Sequence, residues 1–202
     1  MTILIGGYLM FNKVNNQVIS KEYPLSNFDK VVVDIPTGHV AFKVSNRYRV
    51  SYSGVEKVMP EVKVKNGELR ISTPKRVVHV NLLNQLNSKI VIEIPKKELE
   101  EVNIDSSNGN FSADYLLTKT GEINLSNGDI DIEELKVKNG ISFDTSKGNI
   151  KIENSNASGY DLNTFLGKVI VAGKRQGDSF EANLNTKNVL EADTSLGNIS
   201  IK

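Results

Sequence analysis

NIDSSNGNFSADYLLTKTGEINLSNGDIDIEELKVKNGISFDTSKGNIKI, residues 103–152, decides the fold. Three units inside it align on one glycine: Asn103–Ala113 on Gly109, Glu122–Ile132 on Gly128, and Ser142–Ile152 on Gly148. DLNTFLGKVIV (Asp161–Val171) and EADTSLGNISI (Glu191–Ile201) continue the series on Gly167 and Gly197. The first three intervals are 19, 20 and 19 residues. The last is longer and holds an inserted polar strand, Ser179–Asn185, after Gly173–Gly177. A fixed period of this length is the signature of a repeat architecture.

The aligned columns alternate. Five residues before the glycine stand Ile104, Ile123, Phe143, Leu162 and Ala192. Two after it stand Phe111, Ile130, Ile150, Val169 and Ile199, and four after it Ala113, Ile132, Ile152, Val171 and Ile201. Mostly polar residues lie between them. Period two places one set of side chains inside and the other in water. Each unit therefore reads as two short strands flanking a tight turn, where glycine supplies a positive φ. Gly121, Gly140 and Gly159 mark a second turn per unit.

Working outward, the N-terminal half carries the motif in weaker form. VDIPTGHVAF (Val33–Phe42) centres on Gly38, and VKVKNGELRI (Val62–Ile71) on Gly67. Arg49–Ser53 and Lys89–Ile94 alternate as strands, and Lys96–Glu101 suits one helical turn. The expected fold is all-β: a single-stranded β-solenoid with coils of about 19 residues and a less regular N-terminal half. A hairpin meander is the rival, since Asn-Gly at 66, 108, 127 and 139 favours type I′ hairpins. A meander, however, needs no constant repeat with aligned apolar columns. Residues 1–22 are expected to be an apolar leader or first strand, 23–101 irregular coils, and 102–202 regular coils. Thr2–Phe11, TILIGGYLMF, is too short to span a bilayer. It fits a buried strand or leader, or the trailing end of an upstream membrane tether.

Composition narrows the function. Of 202 residues, 39% are hydrophobic and 24% charged, with a formal net charge of +1. That balance offers no concentrated basic face for nucleic acid. Without cysteine there is no disulfide, thiolate site or Cys nucleophile. The two histidines, His39 and His79, are isolated and read as ordinary strand residues. No G-x-S-x-G, P-loop or dinucleotide fingerprint occurs, so no catalytic residue, cofactor or metal ligand is assigned. Lys96–Lys97 and Lys174–Arg175 read as solvated loop charges.

One column draws the eye as a binding face. Four residues before the glycine stand Asp105, Asn124, Asp144, Asn163 and Asp193. Two before it stand Ser107, Ser126, Ser146 and Ser195, with Phe165 breaking the series and Leu166 following it. Stacked oxygens can ligate a hard cation or a glycan. The plainer reading is turn chemistry, Asx and Ser side chains capping nearby backbone groups. The calcium-binding nonapeptide GGxGxDxUx is absent. Phe165 and Leu166 give one coil an apolar outward spot.

Taken together, FDKVVVDIPTGHVAF, KVKNGELRIS, IVIEIPKKELEEVNIDSSNGNFSA, the reiterated S-x-G-[ND]-I turns and the terminal TSLGNISIK resemble the "putative adhesin" family of bacterial β-solenoid proteins, a domain of unknown function. The resemblance covers Phe28 to Lys202. It implies a right-handed β-helix-like fold, an envelope or extracellular surface setting, and no established chemistry. A cytoplasmic location is the alternative. The function expected is a non-enzymatic interaction module binding protein, peptide or glycan along a solenoid face. The alternatives are a scaffold that self-associates end to end through open sheet edges and, more distantly, a polysaccharide-active enzyme using paired carboxylates.

Overall fold

The computed structural model describes residues 17–74 and 88–202. His79 and Thr2–Phe11 lie outside the described residues. The fold is all-β, with nineteen strands among the described residues joined in one hydrogen-bonded sheet. In chain order the strands begin with β1 (Val18–Pro24), β2 (Lys30–Thr37), β3 (His39–Val44), β4 (Arg49–Val55), β5 (Glu61–Lys65), β6 (Glu68–Ser72) and β7 (Lys89–Ile94). The middle of the chain forms β8 (Leu99–Asn108), β9 (Phe111–Ala113), β10 (Leu116–Asn127), β11 (Ile130–Val137), β12 (Ile141–Lys147) and β13 (Ile150–Ser155). The last are β14 (Gly159–Leu166), β15 (Val169–Val171), β16 (Lys174–Gly177), β17 (Ser179–Ala182), β18 (Val189–Leu196) and β19 (Ile199–Ile201). β1 crosses the expected boundary at residue 22 and pairs antiparallel with β4 along its whole length.

The repeat period becomes a parallel register. Ile104 pairs with Ile123, Ile123 with Phe143, and Phe111 with Ile130, which pairs in turn with Ile150. Residues 19 or 20 apart are thus neighbours on adjacent strands. β10 is long enough to turn a corner, and Leu116–Thr118 pair with Leu135–Val137 as a third row. The inward columns are buried: Ile104, Ile123, Phe143, Ile130 and Ile150 are each 0–1% exposed. Burying such a side chain contributes about 1.5–3 kcal/mol, against about 0–1 kcal/mol for an exposed ion pair. The apolar columns, rather than surface charge, therefore hold the fold.

Spatial order departs from chain order. Before the glycine turn, the strands lie in the sequence β5, β6, β2, β8, β10, β12, β18, β14, β17. After it they run β1, β4, β7, β3, β9, β11, β13, β19, β15, β16. The C-terminal pair β18–β19 is therefore interior, inserted between β12–β13 and β14–β15. The strand Ile199–Ile201 does not end the stack: antiparallel strands β5, β1, β17 and β16 close the two ends. Arg49 ties one of these ends together, donating to Glu22 of β1 at 2.9 Å and to Glu93 of β7.

Two local expectations also fail. Lys96–Glu101 forms no helical turn, because β8 already begins at Leu99, where its side chain is fully buried. The helical turn among the described residues is a 3-10 turn at Glu56–Val58. Of the Asn-Gly pairs, Asn66–Gly67 closes a hairpin, with φ of 51° and 78° joining β5 to β6. At 108 and 127 the same dipeptide lies between β8 and β9, and between β10 and β11, each of which stacks on other coils.

Candidate binding groove

The glycine turns set the geometry. Gly38, Gly109, Gly128, Gly148, Gly197 and Gly167 stack in that order, each amide donating to the carbonyl just before the next glycine at 2.8–3.3 Å. A Cβ on Gly128 would stand 2.0 Å from the Gly109 oxygen, and one on Gly197 1.9 Å from the Gly148 oxygen. Close approach of the neighbouring turn, beyond φ alone, is what demands glycine here.

The residue after each glycine locks the turns together. Asn110 Oδ1 accepts from the Asp129 amide at 3.1 Å, Asp129 Oδ1 from Asn149 at 2.7 Å, and Asn149 Oδ1 from Asn198 at 2.9 Å. His39 begins this series, its Nδ1 accepting from the Asn110 amide at 3.0 Å. Asx side chains in the column after the glycine, Asn110, Asp129 and Asn149, thus do bond backbone amides, but across to the neighbouring coil in place of local caps. Three residues before the glycine, Thr145, Thr164 and Thr194 point inward and donate to the carbonyls of Gly128, Gly197 and Gly148 at 2.8–3.0 Å. Ser106 holds the equivalent place, 6% exposed, and its hydroxyl has no partner among the described residues.

The expected face residues come together as one ladder. Asp105 pairs with Asn124, Asn124 with Asp144, Asp144 with Asp193, and Asp193 with Asn163. Asp34, missed in the sequence, extends it by pairing with Asp105. The signal was present, since Asp34 lies four residues before Gly38. Side-chain bonds run along this ladder, Asn124 Nδ2 to Asp105 Oδ1 at 3.2 Å, in place of the local caps expected.

Between this ladder and the column two residues on runs an open trough. Its near half holds Asp34, Pro36, Asp105, Ser107, Asn124 and Ser126; its far half holds Asp144, Ser146, Asp193, Ser195, Asn163 and Phe165. The halves enclose about 380 and 460 Å³ and meet at Leu125. The floor is the inward column, Ser106 and the threonines included. Six strands at about 4.8 Å spacing make it roughly 24 Å long. At the far end Phe165 is 80% and Leu166 61% exposed, and Leu166 pairs with Leu196, itself 42% exposed.

A second acidic column lies two residues upstream, on the same face. Glu122, Glu191 and Asp161 are in register there, and Asp161 pairs on to Glu181 of β17. With Asp105, Asp144 and Asp193, these two columns hold seven carboxylates between β8 and β17. Among the described residues none of the seven is in an ion pair, whereas Glu93, Asp114, Glu134 and Glu153 on other faces all are. Burial, and then the neighbouring Asp193, Glu122 and Glu191 carboxylates, raise Asp144 above the usual aspartate range. Burial also raises Asp193, opposed by a hydrogen bond from Asn163. Among the described residues no three His, Asp or Glu side chains converge to hold a metal.

The family match spans nearly all of this architecture, from residue 28 to residue 202. The chain belongs to the Toastrack DUF4097 family. The resemblance drawn from the strand pairs and glycine turns therefore holds. A solved structure described as a putative cell adhesion protein from Clostridium sporogenes superposes with a TM-score of 0.66 at 19% identity. It covers 92% of this Toastrack chain and 99% of its own, a likeness of fold. A putative adhesin from Bacteroides fragilis gives a TM-score of 0.46 at 16% identity, covering 92% and 97%. No curated protein matches the chain.

Proposed function

We propose that the protein is a non-enzymatic interaction module of the cell envelope or surface, a β-solenoid of about 19-residue coils that binds an extended ligand along the trough. The observation that carries this reading is the trough itself. Six strands contribute the same three columns, so the surface repeats every strand spacing, as an extended protein segment, peptide or glycan chain does. Its walls are polar and its far end apolar, the mixture that lets one site orient a chain-like ligand. The cell-adhesion name of the similar structure from Clostridium sporogenes fits the same reading. The parallel register of 19 to 20 residues supports the solenoid description.

The end-to-end scaffold is less favoured. The edge strands carry charges, Lys63 and Lys65 on β5, Lys174 and Arg175 on β16, which oppose strand addition. The polysaccharide-active reading has no acid and base set apart from the periodic columns.

The test is titration of isotope-labelled protein with soluble peptidoglycan fragments and with basic, neutral and acidic peptides, followed by amide shifts. The reading expects one class to perturb the amides of β8, β10, β12, β18 and β14 on the trough side. Silence toward every class would sink it.

A further inference from the structure

The seven unpaired carboxylates are at odds with the rest of the molecule. Net charge is +1, and the face formed by β11, β13 and β19 pairs its charges across strands: Lys151 lies between Asp131 and Glu153, and Lys202 reaches Glu153 at 2.9 Å. On the trough face, from β8 to β17, neither acidic column contains a lysine or arginine, and among the described residues none lines the trough. Among the described residues the basic side chains of that face, Lys30, Lys63, Lys65 and Arg70, lie at its opposite end, where Lys30, Lys63 and Arg70 pair with Glu101, Glu61 and Glu68. Like charges on adjacent strands repel, so the arrangement opposes folding unless something neutralises it. Burial, and after it that repulsion, raises the affinity of Asp144 and Asp193 for protons.

We propose that the occupant of the trough is an extended cationic peptide segment, its lysine or arginine side chains facing Asp105, Asp144 and Asp193 and an apolar residue seated on Phe165 and Leu166. The inference rests on the interaction-module reading and names its partner chemistry. A neutral glycan can donate hydroxyl hydrogen bonds to the carboxylates but brings no charge to neutralise seven of them, and an acidic one is repelled. An extended peptide has both the reach, at about 3.3 Å per residue over some 24 Å, and the alternation to place cations on one side. Opposite charge across the interface sets encounter rate and register, and screening by salt weakens it. Phe165 and Leu166 fix direction, since the near end of the trough offers Pro36 instead of an exposed aromatic ring.

The experiment uses the full chain and a fluorescein-labelled decalysine with a C-terminal phenylalanine, read by anisotropy at several salt concentrations. Decaglutamate-phenylalanine and neutral peptidoglycan saccharides are the comparison probes. Binding of decalysine-phenylalanine that weakens with salt is expected. The triple variant D144N/E191Q/D193N should bind on the order of tenfold more weakly, and K63Q/K65Q should bind as the parent does. F165S should weaken the phenylalanine-tailed probe but not plain decalysine. Unchanged affinity in the triple variant, with its melting temperature at or above the parent's, overturns the proposal. If saccharide binds the trough and decalysine does not, the partner chemistry is wrong and the interaction module stands. If no probe binds, both readings fall. Concentration-dependent self-association abolished by the triple variant would make a second copy the occupant and equally overturn a free peptide.

Discussion

A methyl group on Gly128 would sit 2.0 Å from the carbonyl oxygen of Gly109 and 2.6 Å from its carbon. Both atoms are backbone, so relief requires separating two stacked turns. Gly128→Ala is expected to destabilise the protein by about 3 kcal/mol or more in urea denaturation. Gly173, at φ 74°, has open space around its missing Cβ. Gly173→Ala meets only the backbone penalty, about 1 kcal/mol. Equal effects at the two sites would show that close approach is unimportant. The threonine column gives a second contrast. Thr194→Val removes a donor to the Gly148 carbonyl and should lose about 1 kcal/mol, while Thr194→Ser should retain most of it. Ser106→Ala removes a hydroxyl that has no partner among the described residues, and its melting temperature should match or exceed the parent's.

At the scale of strands, the repeat was legible because each coil writes the same columns into the chain. Ile104, Ile123 and Phe143 announce an inward ladder whatever their neighbours, and the acidic column announces an outward one. The order of the coils was not legible, for the same reason. Every coil offers the same register to every other, so alternation cannot say that β12 is followed by β18 in place of β14. Side-chain volume gives one local clue: small Ala192 lies between bulky Phe143 and Leu162. The second acidic column escaped notice because Ser142 and Asn103 interrupt it. Insertion has a measurable result. Amides of β18 and β19, bonded on both sides, should exchange hydrogen as slowly as those of β12 and β13. Amides of β16 and β17, paired on one side, should exchange first. Fast exchange at β18 would contradict its interior position.

For the whole molecule, two sets of carboxylates pull stability in opposite directions with pH. Asp144 and Asp193 have raised folded pKa values, so each binds protons more readily folded than unfolded. Stability from these groups rises as pH falls through their folded values, and the gain levels off below the usual aspartate range. Glu93, Glu100, Glu134 and Glu153 are lowered by hydrogen bonds from Arg49, Lys119, Lys136 and Lys151. Their contribution is present above the ordinary glutamate value and is lost as pH falls through their depressed ones. Melting temperature should therefore climb slightly on mild acidification and drop in stronger acid. The double variant D144N/D193N should lack most of the climb.

The interior position of β18–β19 also bears on how the chain is made. A ribosome delivers residues in order, and segments that leave it early usually fold early. Here β14 and β15 emerge before the layer on which they rest. Until residues 189–201 arrive, the exposed surface of β12 and β13 has no native neighbour, and the hairpin beyond β15 has nothing to close. Strands β18 and β19 thus act as a keystone, since native stacking beyond β13 requires them.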